Sequence, residues 1–402
     1  MDRASLIPSA HHVERTFLLD VLADRIGDVA FGRELDADAF RAVTPAKLMP
    51  FVHVRLQPHA QRLHVPKDLL DALGGAYRQN FMRELRRRAE LRRLDDALRG
   101  AGIRFLVLKG PVLAASVYPD RAARTMTDLD LLLSEDDYAR AKAALELAGY
   151  SIPPRFHGVA LAAGDTPPMI HNEPGGPSIE LHTMLDSLPE ERRALEVMWP
   201  VARTASIGPG FETMTLERGE FFAHVVAHVS KHHRFEGELR SLLDVALLLR
   251  DDANALDWDA LWSEWTRRGI SGWISLTVTL AHLLLHAPLP EIVAKHPPSD
   301  EALALSAEQL WIVDKTPVAP RITHALARTK YTDVHATIPI TAAPVPAGVR
   351  GLRAHLARET HQLRRAMTAL REATLRPKRI AHEVELHKKR ERLFAIVEET
   401  RQ

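Results

Sequence analysis

Two aspartates separated by one leucine, Asp128-Leu129-Asp130, open an apolar run that continues through Leu131, Leu132 and Leu133. On a strand, alternate side chains point to opposite faces, so both carboxylates share one face while Leu129 and Leu131 take the other. Such a strand needs a core against its leucines and something that offsets charge against its acids. Like charges a few ångströms apart raise each other's proton affinity, and burying them is costly unless they are paired. A divalent cation removes that penalty, and Mg2+ (or Mn2+), which favours carboxylate oxygens and phosphate, is the natural candidate. Two solvated aspartates on a polar strand edge are the alternative, and D-x-D alone does not separate the two.

The residues before the pair supply a setting. Ile103 to Leu108 is a short apolar run that stops at Lys109-Gly110, and an apolar helical stretch follows from about Val112 to Tyr118. Near-continuous apolar runs bounded by glycine and charge predict buried strands. The order is therefore strand, glycine turn, helix, strand, with Pro111 suited to the first helical turn. Gly110 lacks a Cβ, which serves either a tight turn or the approach of a phosphate to the backbone. Lys109 is either a flexible point charge for phosphate or a solvated strand end. Arg124 is placed to pair with Asp128 and shape the turn, or to grip a phosphate at two points.

Downstream, Ser134 is read as the start of a helix through Tyr138, Ala141 and Leu145 that closes at Gly149, with Asp137 in a loose capping box. Met169 to His171 and Ser178 to His182 read as a hairpin joined by the proline- and glycine-containing stretch 172–177. Glu180 and His182 then share one strand face, with Ile179 and Leu181 opposite. Leu216 to Leu249 reads as strongly helical, and His224, His228 and His232 fall on one stripe of it. The outer two histidines lie about 12 Å apart along such a helix, too far for one ion to bridge, which leaves a nucleotide-facing or a core-lining stripe.

The stretch LVLKGPVLAASVYPDRAARTMTDLDLLL resembles the signature of a poorly characterised branch of the nucleotidyltransferase superfamily, which has the DNA-polymerase-β-like fold. That signature is an LKG turn, a helix ending near a tyrosine, an arginine, then D-[LI]-D-L-[LV]. Lys109, Gly110, Tyr118, Arg124, Asp128 and Asp130 carry the match, which extends less sharply from about Leu69 to about Arg250. The resemblance implies an α+β fold, a nucleotidyltransferase core with a mixed sheet joined to a large α-helical domain. It implies a third carboxylate on a neighbouring strand, in the pattern carboxylate-Leu-His, matched here by Glu180-Leu181-His182 with glutamate where aspartate is commoner. Asp128, Asp130 and Glu180 become the expected catalytic and metal-holding residues. Lys109, Gly110, Arg124, His182, His228 and His232 become the expected nucleotide-binding ones, although a Gly-Ser turn usually fills the place of Lys109-Gly110 in the wider superfamily. The implied reaction moves a nucleoside monophosphate from an NTP to an acceptor that the sequence does not identify. Two other readings stay open: an inactive nucleotide-binding or regulatory module, and an interaction protein of a surface-polysaccharide or peptide-maturation system.

The remaining sequence bounds the setting. The divisions expected are a mostly helical segment over 1–68, the core over 69–200, the helical domain over 211–315, a proline-rich irregular segment over 316–347 and basic helices over 348–402. The arginine-rich run from Arg83 to Arg93 reads as a solvated helix face with i,i+4 pairs, or as a positive patch near an anionic substrate. A net charge of +1 does not point to nucleic acid as a partner, and the absence of cysteine excludes disulfides and cysteine-ligated zinc. No run approaches the length of a bilayer span, and the N-terminus lacks the apolar core of a signal peptide, so a cytoplasmic location is expected.

Overall fold

The computed structural model describes residues 1–156, 166–172, 175–185, 195–252, 256–312 and 377–399. The chain divides into two compact units, Met1–Val313 with Thr400–Gln402, and Asp314–Glu399. The stretches read above as 1–68, 69–200 and most of 211–315 lie within the first unit. The expected proline-rich segment and the first of the basic C-terminal helices lie outside the described residues.

The first unit is built on a mixed sheet of five strands: β1 (Phe105–Val107), β2 (Asp128–Leu133), β3 (Tyr150–Ser151), β4 (Met169–His171) and β5 (Ser178–His182). Their order is β1-β2-β5-β4-β3, with β2 and β5 parallel and the other neighbours antiparallel. A separate antiparallel hairpin joins β6 (Arg203–Gly208) to β7 (Phe211–Thr215). The helices in chain order are α1 (His12–Leu22), α2 (Ala37–Val43), α3 (Met49–Leu56), α4 (Lys67–Gly100), α5 (Gly110–Ser116) and α6 (Tyr138–Leu147). They continue with α7 (Leu195–Met198), α8 (Arg218–Ala227), α9 (Leu239–Asp252), α10 (Trp258–Arg267), α11 (Ser271–Leu285), α12 (Glu291–Lys295) and α13 (Asp300–Leu310). In the second unit α14 spans Pro377–Glu399, with Leu386, Leu393 and Val397 buried. The fold is thus α+β, a mixed-sheet core with a large helical part, as the resemblance implies. Among the described residues no helix is long and apolar enough to cross a membrane.

Register assigns the two faces of the sheet. Asp130 pairs with Glu180 and Leu132 with His182, so these side chains and Asp128 share one face. Leu129, Leu131, Ile179, Leu181 and Met169 take the other and are almost fully buried. The long helix α4 crosses that second face, where Glu90 accepts a hydrogen bond from the Tyr150 hydroxyl and Arg93 meets His171 at 3.1 Å.

α4 keeps the expected solvated face at Arg83, Arg86, Arg92 and Arg93, with an i,i+4 pair between Glu84 and Arg88, but Arg87 is buried on the other side. Its buried stripe runs Leu73, Asn80, Glu84, Arg87, Leu91, Leu94 and Leu98, in steps of three, four or seven. Phe81 and Leu85, apolar but off this stripe, are 44% and 37% exposed. Polar members of the stripe bond the chain across from them: Asn80 donates to the carbonyls of Ala122 and Arg124, and Arg87 donates from its two Nη atoms to the carbonyl of Met126 and to Asn80, while its buried Nε has no hydrogen-bond partner among the described residues. These bonds pin the irregular segment that leads into β2, so α4 fixes where the first aspartate emerges.

Two other local expectations change. α6 begins at Tyr138, and the Ser134 hydroxyl bonds Glu196 instead of capping it. The helical run over 216–249 is interrupted: α8 passes into a π turn at His228–His232, and Arg234, Phe235 and Gly237 all take positive φ before α9 begins. Left-handed residues cannot continue a right-handed helix, and here they bury the Phe235 ring completely. Among the tryptophans of α10 and α11, Trp265 is buried and stacked on Phe222 at 5.9 Å and Trp273 is fully buried, while Trp258 and Trp262 are half-buried.

Candidate active site

The parallel pairing of β2 with β5 sets Asp130 directly beside Glu180, at the spacing of adjacent strands. His182 follows two residues later on the same face, and its Nε2 lies 3.0 Å from Asp130 Oδ1. The ligand-capable atoms of Asp130, Glu180 and His182 all fall within 4.8 Å of one another. Asp128 is one pleat back along the same face, half-buried and opposite Ser178, where its Oδ2 accepts a hydrogen bond from Thr127 at 3.3 Å. The compact trio therefore contains His182, with Asp128 as its neighbour.

Lys109 reaches the trio from the end of β1. Its Nζ lies 3.3 Å from Asp130 Oδ2 and 3.3 Å from His228 Nδ1. The residue sits at φ 45°, ψ −107°, a conformation that L side chains rarely adopt and that surrounding structure must hold. The π turn that begins at His228 brings that ring onto the acid face; such turns are frequent at functional sites. His232 follows, its ring 6.1 Å from that of His228.

The electrostatics follow from this packing. Burial by itself would raise the Asp130 pKa, but Lys109, and then the His182 hydrogen bond, hold it well below the usual carboxylate range. Glu180 is shifted the other way, upward, by burial and then by the charges of Asp130 and Asp128. His224 and His228 are pushed well below the ordinary imidazole value, by burial first and by Lys109 second. A neutral His228 ring can accept from the Lys109 ammonium at Nδ1. His224 Nε2 is buried with no hydrogen-bond partner among the described residues.

Two of the expected phosphate-binding residues have other engagements. The Arg124 guanidinium is buried and bonded twice to Asp244 of α9, which also accepts from the Tyr118 hydroxyl at 2.7 Å. A Cβ added to Gly110 would stand 2.5 Å from Met126 Sδ and 3.0 Å from Arg124 Nη1, so close packing under the turn demands glycine there.

Residues 35–286 match the family described as uncharacterised nucleotidyltransferase. The chain belongs to this family. The matched span runs from α2 to the end of α11 and takes in the sheet and the helices that carry His228 and Asp244. No curated protein and no solved structure matches the chain.

For a nucleotidyltransferase, the donor set is apt. Two carboxylates and an imidazole with converging ligand atoms fit a divalent cation, the carboxylates favouring Mg2+ or Mn2+ and the imidazole tilting the set toward the more nitrogen-tolerant Mn2+. The sequence reading did not anticipate Asn80 and Arg87, whose signal was their place on the α4 stripe. Nothing local in the sequence pairs Asp244 with Arg124, 120 residues away.

Proposed function

We propose that this nucleotidyltransferase transfers a nucleoside monophosphate from an NTP to an acceptor hydroxyl in a divalent-cation-dependent reaction. The observation that carries this reading is the opposition of Asp130 and Glu180 on parallel strands, with His182 on the same face. Asp130 and Glu180 would hold the ion, with Asp128 beside them and His182 orienting Asp130. A bound ion would supply charge neutralisation on the phosphates and a lowered pKa for the attacking hydroxyl. Lys109 presents its ammonium to the phosphate oxygens as a mobile point charge. His228 and His232 line the same approach. Glu180 orients the acceptor hydroxyl and takes its proton as the oxygen bonds to the α-phosphorus. The bond from the α-phosphorus to the bridging oxygen breaks in line, and pyrophosphate departs.

The test is incubation of the full chain with α-labelled NTPs and Mg2+ or Mn2+, with cell extract as acceptor source. Label moves to an acceptor with wild type, and Asp130→Asn abolishes the transfer. Glu180→Gln lowers the rate about 10²-fold or more. Equal transfer by wild type and Asp130→Asn would sink the assignment.

A further inference from the structure

Both oxygens of Asp130 are engaged inside the protein: Oδ1 by His182 Nε2 at 3.0 Å and Oδ2 by Lys109 Nζ at 3.3 Å. Only 6% of the Asp130 side chain is exposed. Each carboxylate oxygen keeps a second lone pair, but a cation on Oδ2 meets the like charge of the Lys109 ammonium, 3.3 Å from that oxygen, and the ion gains most when that pair opens. His182 is fixed by the β2–β5 register, whereas an ammonium on a four-carbon stem moves readily. The ammonium also has a second acceptor already in place, His228 Nδ1 at 3.3 Å.

We propose that Lys109 is the built-in counter-ion of the cation site, and that His228 is the positioning residue that keeps the ammonium when an ion takes its place on Asp130. This deepens the proposed function, on whose cation site it rests. In the exchange no covalent bond changes: the Lys109–Asp130 ion pair opens, the ion binds the freed Oδ2, and the ammonium stays hydrogen-bonded to His228. The charge that guarded the site then faces the incoming phosphates. The unusual backbone of Lys109 and the π turn at His228 are the two local departures from regular structure that bring these atoms together.

The experiment is calorimetric titration of the full chain with Mn2+ alone, at one fixed pH, across a double-mutant cycle. Lys109→Met removes the competing charge and tightens Mn2+ binding about tenfold or more. His228→Leu leaves the ammonium with Asp130 as its remaining anchor and weakens Mn2+ binding several-fold. In the Lys109→Met background His228→Leu has no effect. Lys109→Gln gives the same reading should the methionine variant not fold. Unchanged or weaker Mn2+ binding in both folded Lys109 variants overturns the counter-ion role. An equal effect of His228→Leu with and without Lys109 overturns the positioning role, and Mn2+ binding that survives Asp130→Asn places the ion elsewhere and overturns both. These affinities are read without nucleotide, so a chain that shows the expected cycle yet transfers no label refutes the proposed reaction and leaves the exchange standing.

Discussion

The Arg124 guanidinium closes on the Asp244 carboxylate at two points, Nε to Oδ1 at 2.9 Å and Nη2 to Oδ2 at 2.7 Å, with both side chains buried. The pair ties the segment before β2 to α9, and the Tyr118 hydroxyl bonds the same carboxylate. Arg124→Ala leaves the Asp244 charge buried with its main partner gone, and costs about 3–5 kcal/mol of stability in urea unfolding. Replacing both members, Arg124→Met with Asp244→Asn, costs less, since the buried charge leaves with its partner and an amide oxygen can still accept from the Tyr118 hydroxyl. If the folded double variant also binds NTP as wild type does, Arg124 acts through architecture. A folded double variant with NTP binding lost would give Arg124 back to the phosphates.

Gly110 makes a separate prediction about the LKG turn. The space a Cβ would need is taken by Met126 and Arg124. Gly110→Ala therefore overpacks the turn and lowers stability by about 1–3 kcal/mol. Adding Met126→Ala frees the space and recovers part of the loss in thermal melts. If Gly110→Ala melts as wild type while weakening NTP binding, the glycine serves phosphate approach and not packing.

The site was legible in the sequence where a local pattern encodes it. D-L-D on an apolar strand and E-L-H on the next gave the shared acid face, because strand alternation has a fixed period of two. The glycine turn, the helix after it and the hairpin through Ser178 to His182 were marked by residues whose backbone preferences are strong. What stayed hidden is set by partners distant in sequence. Arg124 was read as a partner for Asp128 or a phosphate, and its carboxylate comes from α9. Arg87 was read only as part of an arginine run, a solvated face or a positive patch, although its spacing from Leu73, Leu91 and Leu94 put it on the buried stripe. Composition outweighed periodicity there, and periodicity was the better guide. The π turn after α8 had no sequence signal beyond the histidines themselves.

His182 sits two residues beyond Glu180 with Nε2 on Asp130. As the residue that orients Asp130, it contributes to cation binding. His182→Ala weakens Mn2+ binding about 10- to 100-fold, the usual cost of losing a ligand-orienting partner. His182→Gln, which keeps a donor in reach of Asp130, recovers part of it. Mn2+ affinity that is indifferent to both substitutions would separate His182 from the cation site.

Glu238 offers a pH test outside the carboxylate trio, on the far side of His233, whose ring lies 4.5 Å from that of His228. It is 2% exposed, faces Lys47 at 3.8 Å and His233 at 3.9 Å, and accepts from the Ser241 hydroxyl at 2.6 Å. Burial works against its charged form, but Lys47 and then His233 outweigh it and bring the carboxyl down from 4.5 to about 2. A folded-state value below the unfolded one means that the unfolded chain binds the proton more readily. The contribution to stability is therefore fully present above pH 4.5 and disappears as the pH falls from 4.5 toward 2. The amount at stake is about 3 kcal/mol. Glu238→Gln should be less stable than wild type at pH 7, and the gap in urea midpoints should narrow steadily as the buffer is taken from pH 5 to pH 2.5. A gap that stays constant over that range would mean that Glu238 stabilises the fold by packing and neutral hydrogen bonds, with its charge contributing nothing.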